Sequence, residues 1–249
     1  TRSSAGHTNN TRALRGGGFT PGLVNTIDYW TMATLGNATD FGDMTNSRGA
    51  HIAAGSDTRT IFAGGYTGSD VNTVDYVTTA STGDATDFGD LTVARRNFGT
   101  ASDGSRGVWA GGNGEDVIDY ITIYSTGNAT DFGNLLASWD DAGGNGLGNA
   151  TRGVFGGGNP AASGNQNVIQ YITVATTGNA TDFGDLTVSK NGRAGVCSKS
   201  RAVFGGGDTD TNVMDYVEIA TTGNASDFGD LTVARSYLSG TSSDHGGLS

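Results

Sequence analysis

The chain of 249 residues has one cysteine, two prolines and few basic residues. Cys197 stands alone, which excludes an intrachain disulfide and a paired-cysteine metal or redox site. The 14 Lys and Arg against 25 Asp and Glu give a net charge of −11, the wrong sign for binding nucleic acid or an anionic membrane. No apolar run approaches the ~20 residues that span a bilayer. We therefore expect neither a nucleic-acid partner nor membrane insertion.

Glycine, in contrast, is abundant, with 43 residues. Disordered segments are poor in β-branched and aromatic residues, whereas here Val, Ile, Thr and Tyr recur at regular places. The glycines fall at fixed positions between these residues. The composition therefore indicates a tightly turned all-β protein.

A segment close to TGNATDFGDLTV occurs five times in the chain. Its phenylalanines are Phe41, Phe88, Phe132, Phe183 and Phe228. The separations between them are 47, 44, 51 and 45 residues, within the range of β-propeller blades. Each Phe lies 12 residues after a Tyr, and these are Tyr29, Tyr76, Tyr120, Tyr171 and Tyr216. Spacings without insertions predict paired strands joined by a tight turn.

Four strands can be placed in each repeat. Strand a follows a basic residue, as in RRNFGTASD at 95–103, and strand b is a short apolar run that ends in glycines, as in VWAGG at 108–112. Strand c contains the Tyr, and strand d contains the Phe. We predict a single domain over 1–249, a β-propeller of five four-stranded blades. The repeat units are roughly 2–47, 48–94, 95–138, 139–189 and 190–234.

An apolar strand ending in Gly-Gly, then a Tyr, an aromatic residue and an Arg opening the next strand resembles the kelch repeat, whose units each form one propeller blade. The wording of the repeat, with TGNATDFGDL at its centre, is similar to kelch-like repeats in structural proteins of marine bacteriophages, cyanophages included. The resemblance implies a virion component of the tail or its fibres, located in the extracellular particle and in contact with other virion proteins.

The segments RSSAGHT at 2–8 and RSYLSGTSSD at 235–244 both match strand a, so one copy is extra. We expect the ring to close through residues 236–244, paired with strand b of the first unit around 13–17, because the linker before Arg235 is in register with the intact ones. Alternatively, residues 2–8 hold that position, or the chain is part of a larger propeller or repeat array.

The repeated Asp residues of strand d raise the question of a ring of Ca²⁺ sites. No copy has the dense oxygen-ligand spacing of a Ca²⁺ loop, so we expect Asp to cap turns and to pair with the Arg of the same linker, as Asp90 could with Arg95. Four Asn-x-Thr/Ser sequences fall in the turn between strands c and d, where Asn suits the turn geometry. We predict no metal and no cofactor.

Catalytic residues are also not expected. The histidines His7, His51 and His245 lie at different offsets in their repeats, which does not suggest convergence in space. No G-x-S-x-G sequence offers a nucleophile in a distinctive turn. We therefore predict that the protein is not an enzyme, and a glycan-degrading activity is the least favoured alternative.

The loops between strands b and c vary most in length, and variable loops on a repetitive scaffold commonly carry recognition. We predict ligand contacts in these loops and in the linker after the third unit, where Trp139 replaces the usual basic residue. Trp139 either stacks on a sugar ring or fills the space of the missing basic side chain. The candidate ligand-binding residues are Tyr66, Trp139, Asp140, Asp141, Asn159, Asn165 and Asp208.

Two functions remain open at this stage. The first is a phage structural module that displays loops for recognition of a host-surface glycan. The second is an architectural or protein-docking module without a ligand of its own. Neutral drift of exposed loops explains their variation equally well.

Overall fold

A computed structural model describes residues 3–140, 147–159, 164–191, 194–208, 211–236, 238 and 240. Its regular secondary structure consists of β-strands, arranged as a five-blade β-propeller. Within these residues, no helix is long and apolar enough to cross a membrane. The prediction of an all-β propeller with five blades is confirmed.

The strands follow the predicted a–b–c–d order from the inner to the outer edge of each blade. The first blade has β1 (Ala5–Thr8), β2 (Arg12–Thr20), β3 (Gly22–Thr31) and β4 (Thr39–Asp43). The second has β5 (Ile52–Gly55), β6 (Arg59–Ala63), β7 (Thr73–Thr78) and β8 (Thr86–Asp90). The third has β9 (Gly99–Ser102), β10 (Arg106–Ala110), β11 (Glu115–Thr122) and β12 (Thr130–Trp139).

The fourth blade has β13 (Arg152–Gly156), β14 (Val168–Thr173) and β15 (Thr181–Asp185). Its inner position holds a single bridge between Gly148 and Gly153 in the part of the chain that is described. The fifth blade has β16 (Ala194–Cys197), β17 (Arg201–Gly205), β18 (Thr211–Glu218) and β19 (Ser226–Arg235).

The invariant Tyr-to-Phe spacing reflects a β-bulge between strands c and d. In the third blade, Ile118 pairs with Gly133 and Asp119 pairs with Asp131, so Phe132 is the extra residue between them. The bulge turns the Phe ring onto the face of the blade, where it meets Tyr120 edge to face at a centroid distance of 5.9 Å. All five blades repeat this edge-to-face pair.

The hydrophobic core lies between adjacent blades. Phe132 and Ile118 of the third blade pack with Phe155, Ile172 and Val174 of the fourth. Comparable buried clusters join the first blade to the second, the second to the third, and the fourth to the fifth. Four of the five repeated Phe residues, Phe41, Phe88, Phe132 and Phe183, are 2–3% exposed, as predicted for side chains between blades.

Each of these junctions also has the same backbone contacts. The turn between strands c and d donates an N–H to the Phe carbonyl of the preceding blade, as Gly127 does to Phe88 at 2.7 Å. The next side chain, Asn128, accepts the N–H of Asp90 at 3.1 Å. A Cβ on Gly89 would lie 2.5 Å from the Gly127 carbonyl, so only glycine permits this approach.

An arginine at the start of strand b spans the same junction. Arg106 stacks over Tyr120 of its own blade, 4.8 Å from the ring centroid, and donates to the carbonyl of Val174 in the next blade. Arg12, Arg59 and Arg152 repeat both contacts. The arginine therefore ties one blade to the next while its ring partner holds it in place.

In the second and third units, the basic residue before strand a forms a buried ion pair. Arg48 contacts Asp75 and Arg95 contacts Asp119, each at 2.9 Å and each with both side chains fully buried. The expected pairing of Arg95 with Asp90 is therefore wrong. Strand c, rather than strand d, lies next to the linker, and its Asp also accepts bonds from the linker threonine, Thr92.

Phe228 is the exception among the repeated phenylalanines, with 49% exposure. Its burial was predicted, and that prediction is wrong because no blade covers this face among the described residues. The first blade also exposes an apolar side chain that another blade buries. Trp30 is 40% exposed, whereas Val77, at the same repeat position in the second blade, is 3% exposed. The described residues thus form four junctions between five blades, without the fifth junction that a closed ring requires.

The assignment of the extra strand a is also corrected. Strand β1 pairs with β2, from Ala5 with Gly16 to Thr8 with Ala13. The N-terminal copy therefore holds the inner position of the first blade, which we had expected residues 236–244 to take. Leu238 and Gly240 lie instead on the fifth blade, where a Cβ on Gly206 would meet Leu238 and one on Gly240 would meet the Gly195 carbonyl.

His51 is buried at the junction between the first and second blades, and we expect it to make the stability of the protein depend on pH. Burial and the neighbouring charge of Arg48 lower the pKa of His51 to about 3. The unfolded chain takes up this proton near the ordinary pKa of about 6.5, so the contribution of His51 to stability is present above pH 6.5 and is lost as the pH falls towards 3. We expect His51→Phe, which copies Phe98 at the same repeat position, to remove this loss.

Chemical denaturation of both proteins from pH 8 to pH 4 measures the effect. Below pH 6.5, the free energy of unfolding of the native protein should fall relative to that of the variant by up to about 1.4 kcal/mol per pH unit. Carboxylates contribute equally to both curves. Parallel curves over this range would contradict the assignment.

Candidate functional site

The loops between strands b and c lie at the same end of the propeller as the linkers between blades. Gly49 in the first linker exchanges backbone hydrogen bonds with Tyr66, at 2.8 and 3.1 Å. Asp140 in the third linker exchanges them with Asn159, both at 3.1 Å. We call this end, formed by the b–c loops and the linkers that pair with them, the loop face.

Three of the predicted ligand-binding residues share one repeat position on the loop face. Tyr66, Asn159 and Asp208 each follow directly the glycines that end strand b, and Asn113 is their equivalent in the third blade. Strand b ends at the loop face, and the glycines of the turn that follows have positive φ, such as 113° at Gly65. The same local structure therefore presents a Tyr, an Asn or an Asp side chain at this position, depending on the blade.

The first group of side chains on the loop face is centred on Asp70. Its carboxylate contacts Arg96 at 2.5 Å and accepts from the Asn113 amide at 2.5 Å. Arg96 lies over the Tyr66 ring, 5.0 Å from its centroid. Asp70 belongs to the second blade, whereas Asn113 belongs to the third, so this contact joins neighbouring loops.

The second group lies between the fourth and fifth blades. The amide of Asn165 donates to one carboxylate oxygen of Asp208 at 2.7 Å, and the other oxygen accepts the backbone N–H of Asn191 at 3.0 Å. Asn165 thus reaches from its own loop to the next blade, as Asp70 does. Both groups hold partly exposed polar atoms in fixed positions, as recognition sites require.

The remaining predicted residues differ in accessibility. Trp139 is 1% exposed, and a Cβ on Gly158 would lie 3.1 Å from its ring. Of its two interpretations, the structure supports the buried side chain that fills the space of the basic residue, and a sugar cannot stack on it. Asp140 is partly exposed and bonded to Asn159. Asp141 lies outside the described residues.

Sequence reasoning missed Asp70, Arg96, Asn113 and Asn191. Three of these could have been found from the repeat alone, because Asn113 is the equivalent of Asn159, and Arg96 and Asn191 are both equivalents of Asp140. Asp70 gives no such signal, because it sits in a loop whose length differs from blade to blade.

The two histidines among the described residues are buried side chains of the blade junctions, and His245 lies outside those residues. His7 and His51 are 6% and 5% exposed. In the described part of the chain, no group of three or more His, Cys, Asp or Glu side chains is placed to hold a metal ion. The asparagines of the turns between strands c and d bond to the preceding blade. The side chains of Asn179 and Asn224 accept the backbone N–H groups of Asn134 and Asp185.

No protein-family model matches the chain, and no curated protein is similar to it. The five-blade propeller is consistent with the kelch-like architecture that the repeat resembles.

Proposed function

We propose that the protein is a non-enzymatic structural module of a phage particle, associated with the tail or its fibres, and that its loop face recognises a host-surface glycan. The observation that carries the proposal is the arrangement of the loop face. Loops of different length and sequence converge there on one rigid scaffold, and the shared position carries Tyr in the second blade, Asn in the third and fourth, and Asp in the fifth. The phage setting rests on the resemblance of the repeat wording.

The chemistry of the loop face suits a polar, uncharged or weakly charged ligand. Carboxylate, amide and guanidinium groups lie close together around Asp70, beside the aromatic ring of Tyr66. Sugars offer hydroxyl groups that such planar side chains can bond, together with apolar ring faces that an aromatic side chain can contact. Asp70 and Asn165 link adjacent loops through hydrogen bonds. These side chains are therefore already ordered, and little conformational freedom remains to be lost when a ligand binds.

A glycan array with the complete chain tests this proposal, followed by affinity measurements on Asp70→Ala. Without Asp70, Arg96 and Asn113 lose the group that orients them, and we expect binding to weaken about tenfold, equivalent to about 1.4 kcal/mol. Asp57→Ala is the matched control, because Asp57 is exposed in a turn between strands a and b, at the opposite end of the propeller.

The two variants should have the same thermal stability within error. If no glycan and no host cell surface binds the native chain, glycan recognition is excluded. If both variants bind equally well, the ligand lies elsewhere than on the Asp70 group.

A second function, an architectural or protein-docking module, is favoured by a different observation. The first and last blades expose apolar side chains that the other blades bury, including Trp30, Met32 and Phe228. Exposed apolar patches of this kind commonly mark interaction surfaces. Under this alternative the loops carry no ligand, and the faces of the end blades provide attachment.

A further inference from the structure

The outer face of the fifth blade and the outer face of the first blade are the two halves of one unformed junction. On the fifth blade, Phe228 is 49% exposed, against 2–3% for its four equivalents. On the first blade, Trp30 is 40% exposed and Met32 is 55% exposed, whereas the equivalents of Met32 are fully buried: Thr79, Ile123, Val174 and Ile219. Each face therefore retains the apolar surface that a neighbouring blade would cover.

The polar groups of the junction are also present on both faces. In the formed junctions, the Phe carbonyl of one blade accepts an N–H from the turn of the next. Phe228 carries that carbonyl, and Gly36 carries the corresponding turn N–H. Asn37 is the equivalent of Asn128, and Asp230 is the equivalent of Asp90, whose N–H the Asn128 side chain accepts in the formed junction.

The space required by the turn is open. A Cβ on Gly42, Gly89, Gly133 or Gly184 would lie 2.4–2.5 Å from the backbone of the next turn, whereas one on Gly229 would meet nothing within 4 Å. The matching turn of the first blade is exposed throughout residues 32–40, and Leu35 is 106% exposed. The space beside Gly229 is therefore open. The Leu35–Ala38 turn has the same Gly-Asn-Ala sequence as three of the turns that pack against the equivalent glycines.

The spanning arginine is diverted on the fifth blade. Arg201 stacks over Tyr216 as its equivalents do over their tyrosines, but its guanidinium contacts Glu218, an exposed neighbour, at 2.6 Å. Its equivalents donate instead to the next blade. The corresponding acceptor on the first blade is the carbonyl of Met32.

We propose that these two faces bind each other between copies of this chain, so that the fifth blade of one copy receives the first blade of a second copy. A second copy is the occupant because the two faces of one copy do not meet, as the exposure of Phe228 and Trp30 shows. The second copy also carries every matching group named above.

The inner edge of this contact can be completed by either copy. Gly240 lies beside β16, and Leu238 lies beside Gly206 at the end of β17. Their segment begins Arg-Ser-Tyr-Leu. The first blade begins with the closely similar Arg-Ser-Ser-Ala at 2–5. One such segment is needed at the joint, and two are available.

A contact between unlike faces leaves one free face at each end of the assembly. Such heterologous association continues with every added copy unless the geometry closes it into a ring. The assembly therefore grows with protein concentration until such a ring closes.

Cross-linking tests the contact at residue level. Asp230→Cys and Asn37→Cys are prepared as separate proteins and mixed in equal amounts with a short bis-maleimide reagent. Their counterparts in a formed junction, Asp90 and Asn128, are in hydrogen-bond contact, so we expect the mixture to give at least about ten times more cross-linked dimer than either protein alone. A mixture of Asn37→Cys with Asp57→Cys, at the turn end of the second blade, is the control.

Sedimentation of the complete chain from about 1 µM to about 1 mM, the range of weak specific contacts, provides the second measurement. We expect the weight-average mass to rise with concentration, and Phe228→Asp to shift this rise to at least about tenfold higher concentration. Tyr124→Asp, which alters an equally exposed aromatic residue on the third blade, should assemble as the native chain does.

A native chain that stays monomeric over this range would overturn the proposal. So would efficient cross-linking within single molecules of an Asp230→Cys, Asn37→Cys double variant in dilute solution, because the two faces would then close one ring. Neither result depends on glycan binding, which the loop-face variants measure separately.

Discussion

Replacing Asp119 with alanine is expected to lower the free energy of unfolding by about 3–5 kcal/mol, because it leaves a buried arginine without its counter-charge. Arg95 and Asp119 are both fully buried and lie 2.9 Å apart. Burial lowers the pKa of Arg95, and the charge of Asp119 opposes this shift. Without Asp119, the hydrogen bonds that remain to the guanidinium come from the carbonyls of Val117 and Trp109, and its surroundings otherwise supply the Phe98 ring and the charge of Glu115.

The equivalent position in the fourth unit provides the matched comparison. There Trp139 replaces the arginine and Gln170 replaces the aspartate, so the pair carries no charge. Gln170 accepts the backbone N–H of Leu136 at 2.8 Å, and Gln170→Ala should cost only about 1–3 kcal/mol, the penalty of one buried unpaired group. Equilibrium denaturation in urea measures both values. Equal losses would contradict the view that the stranded charge dominates.

Phe132→Ala is expected to lower the free energy of unfolding by about 3–5 kcal/mol, whereas Phe228→Ala should lower it by less than about 1 kcal/mol. The two residues occupy the same repeat position, make the same edge-to-face contact with a tyrosine, and differ in exposure, 3% against 49%. Phe132 packs against the fourth blade, whereas Phe228 has no blade in front of it among the described residues. Differential scanning calorimetry on dilute protein measures both variants. A large loss for Phe228→Ala would mean that its face is covered within one molecule.

The repeat made the fold predictable because it fixes local structure five times. The Tyr-to-Phe distance determines the hairpin and its bulge, and the glycines after strand b determine the turn at the loop face. These features depend only on residues within one unit. Their constancy therefore predicted the strands, their order and the number of blades without knowledge of the tertiary contacts.

The contacts between units were less accessible to sequence reasoning. The sequence around Phe228 is almost identical to that around Phe88, so no local sequence signal distinguishes the exposed ring from the buried one. The burial of each Phe depends on the blade that follows it. For the same reason, the sequence could not decide which copy of strand a completes the first blade.

One tertiary pair did leave a signal in the sequence. Units that open with Arg48, Arg95 or Lys190 have an Asp before the Tyr of strand c, and the unit that opens with Trp139 has Gln170 there. In the second and third units, the basic residue and the Asp contact each other in the core, which explains why the two positions change together. The residues of the loop face lack this regularity, since their loops differ in length, and only part of the candidate site could be predicted.

The exposure of Trp30 tests most directly the claim that five blades form four junctions. The chain has three tryptophans, and Trp109 and Trp139 are 0% and 1% exposed, whereas Trp30 is 40% exposed. Acrylamide quenching of the dilute native chain should reveal one accessible fraction of the fluorescence, and Trp30→Phe should abolish that fraction. If quenching is low in the native chain and unchanged in the variant, Trp30 is buried, and the first and fifth blades close a ring.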